Sequence, residues 1–374
     1  MNTTLRNIAE KLDKNNKKIQ LIYAFNGTGK TRLSQTFKNL IISQHKDDKE
    51  NNAALTRHKI LYYNAFTEDL FAWDNDKHQE GEHQLIIQPN SFTDWILKDQ
   101  GQDQNIIRYF QSYTHQRLLP HFNEDFSAIT FSLAGNNDQR IDNIKISKGE
   151  ENNLIWSIFF TLINLVIAER NITEKSERST NEFDHLRYIF IDDPVSSLDE
   201  NHLIQLAVDI AQLIKSSEFK SSKSDIKFII TTHNPLFYNV LYNELDLKKG
   251  YILRRFEDGK FALEEKKGDS NHCFSYHLYL KDILQQAINE KKIEKYHFTL
   301  LRNLYEKTAC FLGYQQWSEL LPDNKQAYLT RIINFTSHSK LSNEMLPEPS
   351  EPEKQIVAFL LNHLLENYNF KHLE

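Results

Sequence analysis

Three short stretches carry residues whose types and spacing fit one chemistry, the handling of a nucleoside triphosphate. The first is Tyr23-Ala24-Phe25-Asn26-Gly27-Thr28-Gly29-Lys30-Thr31. Backbone amides around Gly27 and Gly29 can wrap phosphate oxygens, Lys30 can reach the outer phosphates, and the Thr31 hydroxyl can ligate Mg²⁺. The second is Asp192-Asp193-Pro194, in which Asp192 would complete the Mg²⁺ shell and Asp193 would polarise the attacking water. The third is His233, which ends Thr231-Thr232-His233 and would stand beside the γ-phosphate as a switch. The usual loop pattern has Gly where Ala24 stands, so the match is imperfect.

The elements that must position these residues are written into the flanking sequence. Ile19 to Tyr23 is an apolar run that reads as a strand, and Arg32 to Phe37 opens a helix, the context a phosphate loop requires. Tyr188 to Ile191 and the run ending at Ile230 are apolar without alternation, as strands buried on both faces of a parallel sheet are. Ligands of such sheets bind beyond the C-terminal strand ends, where Asp192, Asp193 and His233 sit. Lys59 to Tyr63, Ala128 to Leu133 and Ile141 to Ile146 read as further strands. Gln88, after Leu85-Ile86-Ile87, stands where a residue touching Mg²⁺ or water could lie; a surface Gln at a strand end fits equally well.

Ser147-Lys148-Gly149-Glu150 precedes an apolar helix running from Leu154 to about Arg170. In ABC-type ATPases a signature segment opens a helix in this way and grips the γ-phosphate bound by a second subunit. Ser147, Gly149 and Glu150 would take those roles, although the same residues also make an ordinary N-cap. Phosphate loop, signature, acidic strand, the Ser197-Leu198-Asp199 segment expected at a dimer seam, and switch His follow one another in the ABC order. The expected nucleotide-binding set is therefore Asn26, Gly27, Gly29, Lys30, Thr31, Ser147, Gly149, Glu150, Asp192, Asp193, Asp199 and His233, with Thr31, Asp192 and Gln88 on the metal. Such heads sandwich nucleotide between two copies, so at least a homodimer is expected, and pairing of dimers would give a tetramer. No sustained heptads lie between Lys30 and Ser147, which speaks against the long arms of chromosome-tethering ATPases.

At 374 residues and 40% apolar content, two domains with buried cores are expected. A net charge of −6 argues against a generally basic nucleic-acid-coating protein and leaves room for a local basic patch. Two cysteines, Cys273 and Cys310, are too few for a disulfide framework and read as core thiols of a reducing compartment. The longest apolar run, Leu154 to Ala168, is interrupted by Ser157, Thr161 and Asn164 and falls short of the ~20 residues of a membrane span, so a cytoplasmic protein is expected. Tyr251 to Glu265 reads as a closing hairpin with its turn at Phe256 to Lys260, and from Phe274 onward the pattern is helical. This divides the chain into an α/β head, residues 1–265, and a helical domain, residues 266–374.

A second chemistry is possible in the helical part. Arg302 and Glu306 lie four apart and hence on one helical face, a spacing that also makes ordinary surface salt bridges. With His338 they would form a set suited to RNA cleavage without metal. That reaction needs a base for the 2′-hydroxyl proton, an acid for the leaving 5′-oxygen and a cation for the crowded phosphorane. Its products are a 2′,3′-cyclic phosphate and a 5′-hydroxyl.

Leu21 to Arg32, Ile189 to Asp199, Leu301 to Thr308 and Asn334 to Ser339 closely resemble the PrrC-type anticodon nucleases, and the likeness runs along nearly the whole chain. The resemblance implies an ABC-type P-loop ATPase head followed by a helical, HEPN-like nuclease domain, with Ala24 a family trait. It implies cleavage of tRNA-Lys in the anticodon loop beside the wobble position. It further implies latency in complex with a type I DNA restriction-modification enzyme, release on phage infection, and control by Mg²⁺ with GTP or ATP, with dTTP as a stabilising effector. The family's catalytic Arg, Glu and His fall on Arg302, Glu306 and His338. Asp269, within Lys266 to Ser270, falls in the region the family uses to recognise the anticodon; by itself Gly268-Asp269-Ser270 is a helix-start turn. Tyr276, His277 and Tyr279 could stack on bases or pack in a core. Arg331 with His338 also fits the loose Arg-to-His spacing of HEPN ribonucleases and could share the phosphate. The alternative function is a DNA-repair or effector-regulating ATPase of ABC type without RNase activity.

Overall fold

A computed structural model of the chain describes residues 3–43, 59–64, 71–74, 83–88, 91–135, 140–195, 200–219, 225–256, 258–267, 276–336, 349–368 and 370. Two compact units divide at Asp269, Met1–Asp269 and Ser270–Glu374.

The first unit begins with α1 (Leu5–Lys14), an amphipathic helix whose Leu5, Ile8, Ala9 and Leu12 share one buried face. β1 (Ile19–Tyr23), α2 (Lys30–Ser43), β2 (Ile60–Asn64), β3 (Phe71–Asp74) and β4 (Gln84–Ile87) follow. Next come the short α3 (Ser91–Asp94), α4 (Asp103–Tyr113), β5 (Leu118–Phe122), β6 (Ala128–Ala134) and β7 (Arg140–Ile141). The strand expected over Ile141 to Ile146 is confined to β7. Beyond it the backbone has no ladder, although Ile144 still donates its N–H to the Phe131 carbonyl at 3.0 Å. The unit continues with α5 (Lys148–Asn171), β8 (Tyr188–Asp192), α6 (Glu200–Ser216), β9 (Lys227–Thr232), α7 (Pro235–Glu244), β10 (Lys249–Arg255) and β11 (Phe261–Lys267).

A six-stranded sheet in the order β11-β10-β1-β9-β8-β2 forms the centre of this unit. All its ladders are parallel except the edge hairpin β10–β11, which therefore crosses the expected boundary at 265/266. Every residue of β8 and β9 is buried, and helices such as α1 and α2 contribute Leu5, Ile8, Leu33 and Phe37 to the core beside Tyr188 and Phe190. That is the reason these strands carry unbroken apolar runs. A second, antiparallel sheet of five strands holds β3, β4, β6 and β5 in that order, with β7 on β6. α5 is long and apolar enough to cross a membrane, yet 78% of its apolar window is buried inside the protein, as in a core helix.

The second unit is helical in its described residues: α8 (Tyr276–Asn289), α9 (Lys295–Leu312), α10 (Lys325–Thr336) and α11 (Glu351–Asn367), with a 3-10 turn at Trp317–Leu320. Its core is built from Leu280, Leu284, Leu301, Leu304, Tyr305, Leu360 and Leu364. The left-handed Gly313 ends α9, and Ser350 with Glu353 caps the start of α11. Cys310 is exposed, correcting the expectation of a core thiol: it lies on α9 away from the buried face of Leu301, Leu304, Tyr305 and Thr308. Cys273 lies outside the described residues.

Candidate functional site

Strand register brings the first set of residues level. Tyr23 of β1 pairs with Thr232 of β9, and Thr231 pairs with Asp192 of β8, so three neighbouring strands end together and their following residues share one edge. Because β9 lies between β1 and β8, His233 emerges between the phosphate loop and the acidic pair.

In the loop itself Gly27 and Gly29 have φ of +78° and +99°, conformations that L side chains rarely adopt. A Cβ on Gly29 would also stand 3.2 Å from the Phe261 ring. Ala24 is fully buried in the core, donates its N–H to the Thr232 carbonyl at 2.9 Å, and does not have a positive φ. That position needs a small residue and makes no demand for glycine. Lys30, only 8% exposed, folds back over the loop and donates from Nζ to the Ala24 carbonyl at 3.2 Å and to Asn26 Oδ1 at 3.1 Å. Its Nζ also lies 3.5 Å from Asp193 Oδ2.

The two carboxylates at the end of β8 have opposite surroundings. Asp192 is 1% exposed; burial, and then the nearby Asp193 charge, push its carboxyl up, against hydroxyl hydrogen bonds from Thr231, Ser34 and Thr31. Ser34 Oγ is 3.1 Å from Asp192 Oδ2 and 2.8 Å from the Tyr62 hydroxyl. Asp193 has a positive φ of 53°, a left-handed turn that Asp tolerates better than most residues. Burial alone would raise its carboxyl, but the hydrogen bond and charge of His233, joined by Lys30, outweigh burial and hold it below the usual carboxylate range. His233 Nδ1 is 2.6 Å from Asp193 Oδ2; an ionised carboxylate can only accept, so the ring proton sits on Nδ1.

Ser147 is the N-cap of α5 in a reciprocal capping box. Its Oγ accepts from the Glu150 N–H at 3.3 Å, and Glu150 Oε2 accepts from the Ser147 N–H at 2.7 Å. Ser147 is exposed, with Gly149 in the first turn beside it, so the cap leaves the helix start facing outward. Gln88 is exposed one residue beyond β4, on the separate antiparallel sheet. Asp199 lies outside the described residues. Thr231, Ser34 and Tyr62 were not found from sequence, since hydroxyls inside a strand or helix carry no local signal of which carboxylate they will face. Among the described residues no group of three or more His, Cys, Asp or Glu side chains is gathered as a metal cage.

On α9 the Arg302 Nε donates to Glu306 Oε1 at 2.8 Å, and both side chains are little more than one-third exposed. The Arg302 guanidinium lies over the Trp317 ring, 5.9 Å from its centroid, a partner that sequence spacing does not reveal. α10 packs on α9 and ends at Thr336, two residues before His338. His338 and Asp269 lie outside the described residues, as do the side chains of Arg331, Tyr276 and Tyr279. His277 meets Phe370 edge-on, with ring centroids 6.5 Å apart.

A phosphate loop, a buried Asp, and an Asp–His pair on three adjacent parallel strand ends, followed by a helical unit, define an ABC-type P-loop ATPase head joined to a helical domain. An anticodon nuclease of Escherichia coli is 61% identical over 360 residues, covering 94% of this chain and 90% of that protein. The chain belongs to the anticodon nuclease family. No family model matches it. Solved SMC head domains give a faint likeness. The head from Thermotoga maritima is 12% identical, covering 67% of this chain and 91% of that one, at a TM-score of 0.31. The SMC head with an extended coiled coil from Pyrococcus furiosus, bound to the C-terminal domain of ScpA, is 13% identical, covering 47% of this chain and 37% of that one, at 0.29. Scores this low carry no argument, and the assignment of the head rests on its strand order and loop geometry.

Proposed function

We propose that this protein is a nucleotide-gated endoribonuclease that cleaves tRNA-Lys in the anticodon loop beside the wobble position. The observation that carries the reading is the 61% identity to an anticodon nuclease over 94% of the chain, beside which Arg302 and Glu306 stand paired on one helix. Arg302 would stabilise the phosphorane, and Glu306 and His338 would share the base and acid roles, leaving a 2′,3′-cyclic phosphate and a 5′-hydroxyl. Asp269 is the candidate for reading the wobble base.

In the head, Lys30 and the amides of Gly27 and Gly29 would hold the phosphates of GTP or ATP, with dTTP as a stabilising effector. Thr31 and Asp192 fit a Mg²⁺ ion. The Asp192 carboxylate is buried at a cost that a cation would relieve, hydroxyls hold it in place, and Mg²⁺ commonly takes only one or two carboxylates beside phosphates and water. Gln88 is the third candidate ligand. Bound there, the ion would neutralise the outer phosphates. Asp193, oriented by His233, would polarise water, while Ser147, Gly149, Glu150 and Asp199 of a second copy would close the site. The protein would act in the cytoplasm as a dimer or tetramer, silenced by a type I restriction-modification enzyme until phage infection.

The test is incubation of purified protein with total tRNA, with and without GTP or ATP, and mapping of new 5′-hydroxyl ends. A single new end in the tRNA-Lys anticodon loop is expected. Intact tRNA-Lys under every nucleotide condition would instead favour an ATPase acting in DNA repair or on a separate effector.

A further inference from the structure

We infer that Trp317 is a positioning residue for Arg302, an inference that rests on the ribonuclease reading above. The hydrogen bond from Nε to Glu306 Oε1 holds the Nε side of the guanidinium. The Trp317 ring supplies a second restraint, lying 5.9 Å below the guanidinium carbon.

The ring can do this because it is itself anchored. Trp317 opens the 3-10 turn Trp317–Leu320, whose start is tied by Glu319 Oε1 accepting the Gln316 N–H at 2.8 Å. It packs on the helical core and meets the Tyr305 ring at 6.2 Å and 70°. Tyr305 is fully buried and donates its hydroxyl to the Leu360 carbonyl at 2.8 Å, which ties the platform to α11 as well as α9.

An arginine that must meet a phosphorane works best when its planar fork is already oriented, because less rotamer freedom is lost on reaching the transition state. A cation held over a ring keeps its charge, and Trp317 is a partner separate from Glu306.

The experiment compares Trp317→Leu, Trp317→Phe and Arg302→Ala in single-turnover and steady-state cleavage of tRNA, with thermal unfolding alongside. Trp317→Leu should lower kcat about tenfold or more with little change in KM, and Trp317→Phe should restore most of the rate. Loss of activity in Arg302→Ala with full activity in Trp317→Leu would overturn the inference, as would a folded Trp317→Phe as slow as Trp317→Leu. Full activity of Arg302→Ala would remove Arg302 from the cleavage chemistry and the inference with it, whereas intact tRNA with the unaltered protein would overturn the ribonuclease reading itself. Should Trp317→Leu fail to fold, the nitrogen resonances of the Arg302 guanidinium in the unaltered protein decide the matter. Slow rotation about Nε–Cζ is expected, and fast rotation would sink the proposal.

Discussion

The Asp193 carboxylate and the His233 imidazole meet at 2.6 Å, across the boundary between two parallel strands that are far apart in sequence. The pair orders both groups beside the phosphate loop, and the proton it fixes on Nδ1 makes His233 a donor to Asp193.

Breaking that pair should separate hydrolysis from binding. Asp193→Asn is expected to slow nucleotide hydrolysis by about 100-fold, the usual scale for loss of a general base, while nucleotide still binds. Steady-state hydrolysis together with titration of a fluorescent nucleotide measures both; unchanged hydrolysis would remove Asp193 from the water-polarising role.

Lys30→Ala should abolish nucleotide-stimulated tRNA cleavage while leaving nucleotide-independent cleavage intact. Lys30 lies in the head within reach of Asn26 and Asp193, whereas Arg302 and Glu306 belong to the other unit. Cleavage assays with and without GTP or ATP check this, and a stimulated rate in the variant would contradict the gating role.

Acid should weaken the proposed cation site before it breaks the Asp–His pair. Burial raises the Asp192 carboxyl, so its own contribution to folding stability is fully present below the unfolded value and lost as pH rises through the folded one. A cation needs the ionised form, so Mg²⁺-dependent nucleotide affinity should fall as pH drops into the range just above the ordinary carboxylate value. Asp193 is shifted down, so its stabilising contribution is present above the unfolded value and lost only as pH falls through the lower folded one. Nucleotide titrations across the acid range should show affinity falling while thermal stability holds; simultaneous loss of both would contradict the ordering.

Ser147 can be tested in its two roles separately. Ser147→Ala removes the cap and should cost about 1 kcal/mol, while Ser147→Asp keeps a good cap and places negative charge where a neighbour's phosphate is expected. The Asp variant should retain its melting temperature and lose nucleotide-dependent dimerisation. Normal dimerisation of that variant by light scattering would confine Ser147 to capping.

Gly250→Ala should destabilise the head by about 1–3 kcal/mol, as overpacking does. A Cβ there would stand 1.7 Å from the hydroxyl oxygen of the fully buried Tyr238. Chemical denaturation of the variant measures the change.

Features that depend on local pattern are legible in the chain before it folds. The apolar runs of β8 and β9, Gly27 and Gly29 ahead of Lys30, the hairpin turn near Gly259 and the i,i+4 pairing of Arg302 with Glu306 all follow from residue type and spacing over a few positions. Other features arise only when distant segments are brought together. The interposition of β9 between β1 and β8, which sets His233 against Asp193, follows from strand pairing. The hydroxyls of Thr231 and Ser34 on Asp192, and the Trp317 face beneath Arg302, likewise follow from packing. Even the tolerance of Ala24 was decided there: a buried position with ordinary backbone asks only for a small side chain, and a loop motif written in letters cannot distinguish that demand from a need for glycine. Local periodicity records which face a residue turns to the core, whereas the partner on that face is chosen by long-range packing, and the opposite shifts of Asp192 and Asp193 are the result of that choice.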